Sequence, residues 1–232
     1  MKILLTPIFF IFASCSEDKH VQKQTPQPIS SDWDTSFFAP LAGDEMIYRE
    51  TLEFISPHET PPITPRKIQK KIDTRKQTYL GPEKIMGESY HRNAISYGDQ
   101  FKEGILLQWD GKFLSLAGSF DKDGKPTVQP ITIPIAQLDM TVGSYLQWPN
   151  ETVAGSSSRV VAFEKVHVPA GSFDAYKISL KRGISARANL KTYWFAPKIG
   201  IVKEVSRQYS GGLLRSHNTI ELVEIKKANP AI

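Results

Sequence analysis

The sequence contains a single cysteine, Cys15, among 232 residues, so one chain cannot form a disulfide bond. Histidines are also few, and none of the five lies two to four residues from another, the usual spacing of a metal-binding pair. No Gly-x-Ser-x-Gly turn presents a nucleophilic serine. These absences predict a domain that is held together by its core alone, binds no metal or cofactor and is not an enzyme.

Long apolar runs are absent after residue 14. Residues 1–14, MKILLTPIFFIFAS, contain one lysine followed by an apolar run too short to span a bilayer core of about 30 Å. The last positions before and including the cysteine, Phe12 to Cys15, resemble a bacterial lipobox, at which exported lipoproteins are cut and acylated. The resemblance implies a signal peptide over 1–14 and a lipidated Cys15. An ordinary signal peptide that happens to contain a cysteine is the alternative.

Lipidation at Cys15 would make the membrane the first partner of this protein. Two or more acyl chains give stable attachment, at about 0.8 kcal/mol for each buried methylene. Ser16 stands where lipoproteins retained in the inner membrane of enteric bacteria carry aspartate, so the resemblance implies the outer membrane for a Gram-negative source. The formal charge of +5 is a mild excess, and an exported protein rarely meets nucleic acid, so we expect no nucleic-acid partner.

Residues 15–40 have the composition of a tether. The stretch SEDKHVQKQTPQPISSD is polar and rich in proline, glutamine and serine, and such a segment cannot bury enough apolar surface to offset the entropy of ordering. We therefore predict one domain, over residues 41–228, that stands off the membrane on a flexible linker.

Alternation of apolar and polar residues dominates this domain. It is clearest in ILLQWDGKFLSL, where Asp110-Gly111 is typical of a two-residue hairpin turn with positive φ at both positions. Similar runs, including KIMGESYHRNAISY, recur between turn signals such as Asp123-Gly124 and Gly211-Gly212. Only PIAQLDMTVG is a candidate for a longer helix, and DWDTSFFAPLAGDE is expected to form a short helical or irregular entry to the domain. FDKDGK lacks the first and last carboxylates of a calcium loop, so it too is predicted to be a turn.

About ten strands joined by tight turns predict an all-β fold, since a sheet of that size must curl, close or split in two. We expect an antiparallel curved sheet that forms a half-barrel or open barrel. A flat two-sheet sandwich is the alternative.

Two segments of the C-terminal half resemble a known group of proteins. VPAGSF, residues 168–173, and YWFAPKIGIVK, residues 193–203, are similar to segments shared by TapB-like and other uncharacterised exported bacterial proteins, as is GSYLQWP upstream. The resemblance implies an all-β, barrel-like exported domain without established catalysis. At the level of fold alone, the expected architecture is also similar to lipoprotein-carrier half-barrels that hold acyl chains against a curved sheet.

Large aromatic residues could line the concave face of such a sheet, because ligand cavities are mostly apolar. The candidates are Tyr48, Trp109, Trp148, Phe163 and Trp194, with Phe113 and Phe173 beside them. Filling of the core is the alternative role, since a domain without disulfides needs large apolar side chains inside.

A basic run, RKIQKKIDTRK, covers residues 66–76. Lys70, Lys71 and Arg75 could contact lipid headgroups. Lysines that protect a sheet edge from pairing with another chain are the alternative explanation.

Together these observations predict a lipid-anchored, non-catalytic exported protein whose curved sheet binds a lipid or another apolar ligand. The alternative is an envelope scaffold, or a module that binds a protein partner through its outer surface.

Overall fold

Strands account for the regular structure of the chain, as the alternating pattern predicts. The computed structural model describes residues 40–55, 68–146, 157–183 and 188–228, and these form eleven strands and no helix. The strands are β1 (Glu45–Ile55), β2 (Ile68–Ile85), β3 (Glu88–Tyr97), β4 (Gln100–Trp109), β5 (Phe113–Phe120), β6 (Pro126–Gln137), β7 (Ser157–Val168), β8 (Gly171–Arg182), β9 (Asn189–Ala196), β10 (Gly200–Ser210) and β11 (Leu213–Lys226).

All eleven strands belong to one antiparallel sheet with the order β6-β5-β4-β3-β2-β1-β11-β10-β9-β8-β7. Bulges interrupt the register of most pairs, for example between Tyr79 and Gly81 in β2, and bulges bend and twist a strand. The edge strands β6 and β7 are not hydrogen-bonded neighbours, so the sheet is curved and open. The predicted open half-barrel is confirmed, with eleven strands in place of about ten.

Curvature of the sheet brings β4, β5 and β6 opposite β8 and β9, and the main core lies between these two limbs. Apolar side chains from both limbs and from the segment after β6 form one buried cluster, which contains Leu107, Leu114, Ala136, Met140, Leu146, Val160, Tyr176, Ile178, Leu180, Tyr193 and Phe195. The Tyr193 hydroxyl also donates a 2.7 Å hydrogen bond to the carbonyl of Ile135, which links β9 directly to β6.

Two smaller clusters bury other parts of the sheet. Leu106 follows Ile105 in β4 and therefore faces the opposite side of the sheet, where it packs with Tyr90, Ala117 and Phe120. The remaining cluster, around β1 and the β7 to β11 strands, comprises Tyr48, Val166, Ala175, Ala196, Val202, Ile220 and Leu222. Parts of this sheet are thus buried on both faces, which a one-sided alternating pattern does not anticipate.

The chain after β6 covers part of the free edge of β7. Gly143 donates its backbone N–H to the Val160 carbonyl at 2.8 Å, and Val160 donates to the Ser144 carbonyl at 2.9 Å. Leu146 donates to the Ser158 carbonyl at 3.0 Å. These bonds cap an edge that would otherwise offer unpaired backbone groups to another chain.

Two of the turns predicted from the sequence form in the structure. Asp121 Oδ1 accepts hydrogen bonds from the backbone nitrogens of Asp123 and Lys125, at 3.0 and 2.8 Å, so FDKDGK forms the predicted turn. Gly211 and Gly212, with φ of 60° and 73°, join β10 to β11 as expected.

Three local predictions are wrong. The run KIMGESYHRNAISY is divided by a turn at Met86-Gly87, where φ is 53° and 90°. At Asp110-Gly111 only the glycine has positive φ, because the Asp110 carboxylate instead accepts hydrogen bonds from the backbone nitrogens of Lys112 and Phe113, at 2.8 and 2.6 Å. The candidate helix at PIAQLDMTVG does not form, since its first four residues continue β6.

Candidate ligand-binding groove

Two adjoining cavities lie on the concave face of the sheet, and together we call them the groove. Their volumes are about 300 and 220 Å³, in the range of small ligand sites or just below it. Both are lined by Leu116, Ile135, Lys191, Ile201 and Glu204, so they share a wall. The groove therefore runs between the two limbs of the curved sheet.

Aliphatic side chains form most of the groove wall. They come from β3 to β6 on one side of the groove and from β8 to β10 on the other. The apolar lining residues include Ile95, Ile105, Leu107, Leu114, Leu116, Ile133, Ile135, Leu180, Phe195 and Ile201. Because a cavity with such a wall favours apolar groups over water, the groove can accommodate an alkyl chain or a comparably apolar ligand.

A small number of charged groups interrupt this apolar wall. Lys191 Nζ lies 2.9 Å from Glu204 Oε1, and the Glu204 side chain is only 14% exposed. This pair links β9 and β10 at the point where the two cavities meet. Glu204 therefore has a neutralising partner inside the groove, which offsets part of the cost of its burial.

A second polar group lies along β1 to β3. Arg75 lines the larger cavity, and its guanidinium carbon lies 5.8 Å from the centroid of the Tyr48 ring. Burial raises the pKa of Tyr48, so this hydroxyl stays protonated and donates a 2.9 Å hydrogen bond to the Ile201 carbonyl. Tyr48 thus fixes β1 against β10 while its ring forms part of the cavity wall.

Glu50 lies next to this wall, and its carboxylate accepts hydrogen bonds from two uncharged side chains. The Tyr97 hydroxyl donates to Glu50 Oε2, and Asn218 Nδ2 donates to Glu50 Oε1 at 2.6 Å. Burial, together with the hydrogen bond to the Glu50 carboxylate, raises the pKa of Tyr97. The carboxylate is therefore committed to holding β1, β3 and β11 together.

The aromatic residues predicted to line a cavity do not lie together. Tyr48 lines the larger cavity, and Trp109 packs against the main core without lining either cavity. Phe163 lies on the edge strand β7, is 46% exposed and contacts the Tyr176 ring, with 4.7 Å between centroids. Trp148 lies outside the described residues.

Trp194 lies on the face of β9 opposite that of Phe195, because successive side chains of a strand alternate. Its indole nitrogen donates a 2.8 Å hydrogen bond to Glu164 Oε1. The ammonium groups of Lys177 and Lys203 lie 5.2 and 5.7 Å from its ring. The indole is thus held by cross-strand polar contacts and does not line the groove.

The three basic residues predicted to contact headgroups are also separated. Lys70 lies 4.0 Å from Glu53, and Lys71 lies 2.7 Å from Asp73. Lys71 and Arg75 share one face of β2, while Lys70 points to the other. Only Arg75 lines the groove.

The first part of β2 is a local sheet edge. Arg75, opposite Tyr97, is the last residue at this end of β2 that pairs with β3, whereas the pairing of β2 with β1 continues down to Ile68. Among the described strands, residues 68–74 therefore have a neighbour on one side only. The lysines in this segment occur where an exposed edge would otherwise invite pairing.

Most of the residues that line the groove were not predicted from the sequence. Ile105 and Leu107 share a face in β4, as do Leu114 and Leu116 in β5, so the alternation carried a usable signal. The sequence held no comparable signal for Lys191 and Glu204, since these two residues meet only through the pairing of β9 with β10.

Some site types are absent from the described part of the chain. No three His, Asp or Glu side chains lie close enough there to hold a metal ion. Nor do those residues include a helix of the length and apolarity needed to cross a membrane. Cys15 lies outside the described residues, so its lipidation stays a prediction.

Comparison with known proteins places the similarity in the C-terminal half. Residues 133–218 match the DUF3108-like family, and this range includes both segments that resemble exported bacterial proteins, 168–173 and 193–203. The match covers β7 to β10 with parts of β6 and β11. No curated protein matches the chain in sequence.

Two solved structures are similar over most of the chain. A candidate exported protein with a YmcC-like fold from Bacteroides fragilis is 16% identical, with a TM-score of 0.45, and the alignment covers 82% of this chain and 99% of that one. A candidate lipoprotein from Parabacteroides distasonis is 14% identical, with a TM-score of 0.45 and coverage of 82% and 98%. Likeness at these values assigns no function to this chain.

Proposed function

We propose that this protein is a non-catalytic, exported lipoprotein whose β domain binds a lipid or another apolar ligand in the groove. The observation that carries the proposal is the pair of adjoining cavities of about 300 and 220 Å³ on the concave face, with aliphatic walls from both limbs of the sheet. A core that served stability alone would be expected to close such space, since protein interiors pack as densely as organic crystals.

The anchor is the second part of the proposal. The lipobox-like residues that end at Cys15 support processing and acylation there, and Ser16 supports delivery to the outer membrane. The polar stretch that follows the cysteine would let the domain reach ligand away from the bilayer surface. On this proposal the anchor sets the location of the protein and the groove supplies its activity.

The groove is tested with the chain from Ser16 to Ile232, produced in a host with a bacterial envelope. Native mass spectrometry should detect co-purified lipid, and the delipidated protein should enhance the fluorescence of N-phenyl-1-naphthylamine, a neutral apolar dye. Leu116 lines both cavities, so Leu116→Trp should fill the shared region and lower dye affinity at least about tenfold.

Leu80→Trp is the matched control. It makes the same change of side chain on β2, at a position that is 46% exposed and lines neither cavity. Dye affinity should stay at the wild-type value. A clean apo mass without dye binding would reject the ligand-binding proposal, and so would equal binding by Leu116→Trp and wild type.

A further inference from the structure

We infer that the ligand of the groove is an amphiphile with one alkyl chain and an anionic headgroup, a carboxylate or a phosphate, which Arg75 binds. This inference rests on the proposed function, because it specifies the chemistry of a ligand for the same groove. It starts from the position of Arg75, which lies between Tyr48 of β1 and Tyr97 of β3 in the sheet register and lines the larger cavity.

Arg75 is a cation without a neutralising anion. In the part of the chain that the structure describes, no carboxylate oxygen lies within 4.0 Å of its guanidinium, whereas Lys191, the other cation shared with this cavity wall, has such a partner in Glu204. Its Nε is also buried and makes no hydrogen bond with the described residues. A buried guanidinium donor without an acceptor is costly, and a bound anion would remove that cost.

Two of the nearby carboxylates are committed elsewhere and do not neutralise Arg75. Both oxygens of Glu50 accept hydrogen bonds, from Tyr97 and Asn218. Glu204 is paired with Lys191 at 2.9 Å. The charges of the groove are therefore arranged so that one cation faces the cavity unpaired.

Arg75 also lies beside an apolar wall suited to an alkyl chain. Gln77 and Ile95 line the same cavity next to it, and the aliphatic wall continues from there to Leu107 and Leu114. An anionic group at Arg75 would leave its attached chain against this wall. A guanidinium can bind carboxylate or phosphate oxygens with two parallel hydrogen bonds, which suits it to both headgroups.

Glu103 limits the strength of this site. It is exposed, lines the same cavity and makes no ion pair with the described residues. Its negative charge opposes an anion bound at Arg75. Removing that charge should therefore strengthen the binding of an anionic amphiphile and leave a neutral one unaffected.

The inference is tested by displacement of N-phenyl-1-naphthylamine from the delipidated chain, Ser16 to Ile232. Dodecyl phosphate and dodecanoate are compared with dodecanol, which has the same chain and no charge, and with inorganic phosphate. Wild type should bind both anionic amphiphiles at least about tenfold more tightly than dodecanol, in line with the strength of charge-assisted hydrogen bonds. Inorganic phosphate at equal concentration should not displace the dye.

Three variants test whether Arg75 causes the preference for anionic amphiphiles over dodecanol. Arg75→Gln should abolish it and keep dodecanol affinity, whereas Arg75→Lys should retain part of it. Glu103→Gln should increase it. Lys71→Gln is the matched control, since it removes a positive charge from the same face of β2 but does not line the groove, and it should leave the preference intact.

The outcomes separate this inference from the proposed function. Equal binding of dodecanol and dodecyl phosphate by wild type, or a preference that survives Arg75→Gln, would overturn the headgroup assignment while the groove still binds apolar ligand. Displacement of the dye by inorganic phosphate would indicate a site for free anions and would reject the inference that the ligand is an amphiphile. Absence of binding by every probe would reject the proposed function itself, and this inference with it.

Discussion

The hydroxyl of Tyr193 and the carbonyl of Ile135 are joined by a 2.7 Å hydrogen bond between β9 and β6, two strands that are not neighbours in the sheet. This bond spans the space between the two limbs. Burial raises the pKa of Tyr193, so the hydroxyl keeps its proton for the bond at any physiological pH.

Tyr193→Phe should lower the free energy of unfolding by about 1–2 kcal/mol, because it removes the bond and leaves the Ile135 carbonyl unsatisfied. Urea denaturation followed by fluorescence measures this change. Tyr145→Phe is the control, since Tyr145 is 59% exposed, and it should change stability by less than about 0.5 kcal/mol. Equal losses for the two variants would show that the bond between the limbs contributes nothing.

Asp44 is expected to make the fold sensitive to acid. Burial would raise the pKa of Asp44, but hydrogen bonds from the Ala228 and Leu41 nitrogens and from Lys227 Nζ, at 2.9, 3.0 and 2.9 Å, outweigh it and hold the pKa below its usual range. The ionised carboxylate is therefore favoured in the folded state, so its contribution is present above about pH 3.8 and is lost as the pH falls below that value.

Asp44→Asn should cost about 1–3 kcal/mol at pH 7, since it weakens bonds that tie both ends of the described domain together. Its stability should then fall less than that of wild type between pH 5 and pH 3, roughly the window in which a lowered carboxyl pKa acts. Thermal unfolding across this range is the measurement. Asp99→Asn, at an exposed turn, should match the acid profile of wild type, and a matching profile for Asp44→Asn would refute the assignment.

Cys15→Ala should abolish lipid attachment and leave the protein unprocessed or soluble, because acylation requires the sulfur. Metabolic labelling with an alkyne fatty acid and membrane fractionation measure both effects. Ser16→Ala should keep the label, so it controls for disturbance of the signal. Full membrane attachment of Cys15→Ala would overturn the lipobox assignment.

Gly104 is a position where the sheet admits no side chain. A Cβ added there would lie 2.3 Å from two ring carbons of Phe120, its direct partner on β5. Gly104→Ala should therefore destabilise the fold by about 1–3 kcal/mol through overpacking. In a Phe120→Leu background the added cost should be clearly smaller, as a double-mutant cycle would reveal. Additive effects would mean that the ring is not the obstacle.

The sequence was sufficient to predict strands, turns and an open curved sheet, because these follow from period-two alternation and from local turn chemistry. It could not predict the bulges that decide which face of each strand points inward. A shift of one residue moves every side chain to the other face, and most pairs here contain such a shift. Trp194 and Phe195 are neighbours in the chain, yet only Phe195 reaches the groove.

Arg75 illustrates the same limit. In the sequence it is one of several cations in RKIQKKIDTRK, and nothing local separates it from Lys71 on the same face. The difference arises from pairing, since β3 extends along β2 only as far as Arg75. Beyond that point the lysines border an open edge, whereas Arg75 is the first residue covered on both sides.

The strand order divides the protein into two consecutive meanders, β1 to β6 and β7 to β11. Every pairing within each meander joins strands adjacent in the chain, and among the described strands only β1 with β11 joins distant ones. Local pairings form quickly, while a distant one must first overcome the entropy of closing a long loop. Folding should therefore proceed as two units that assemble along one seam, and a groove walled by both units exists only after that seam has closed.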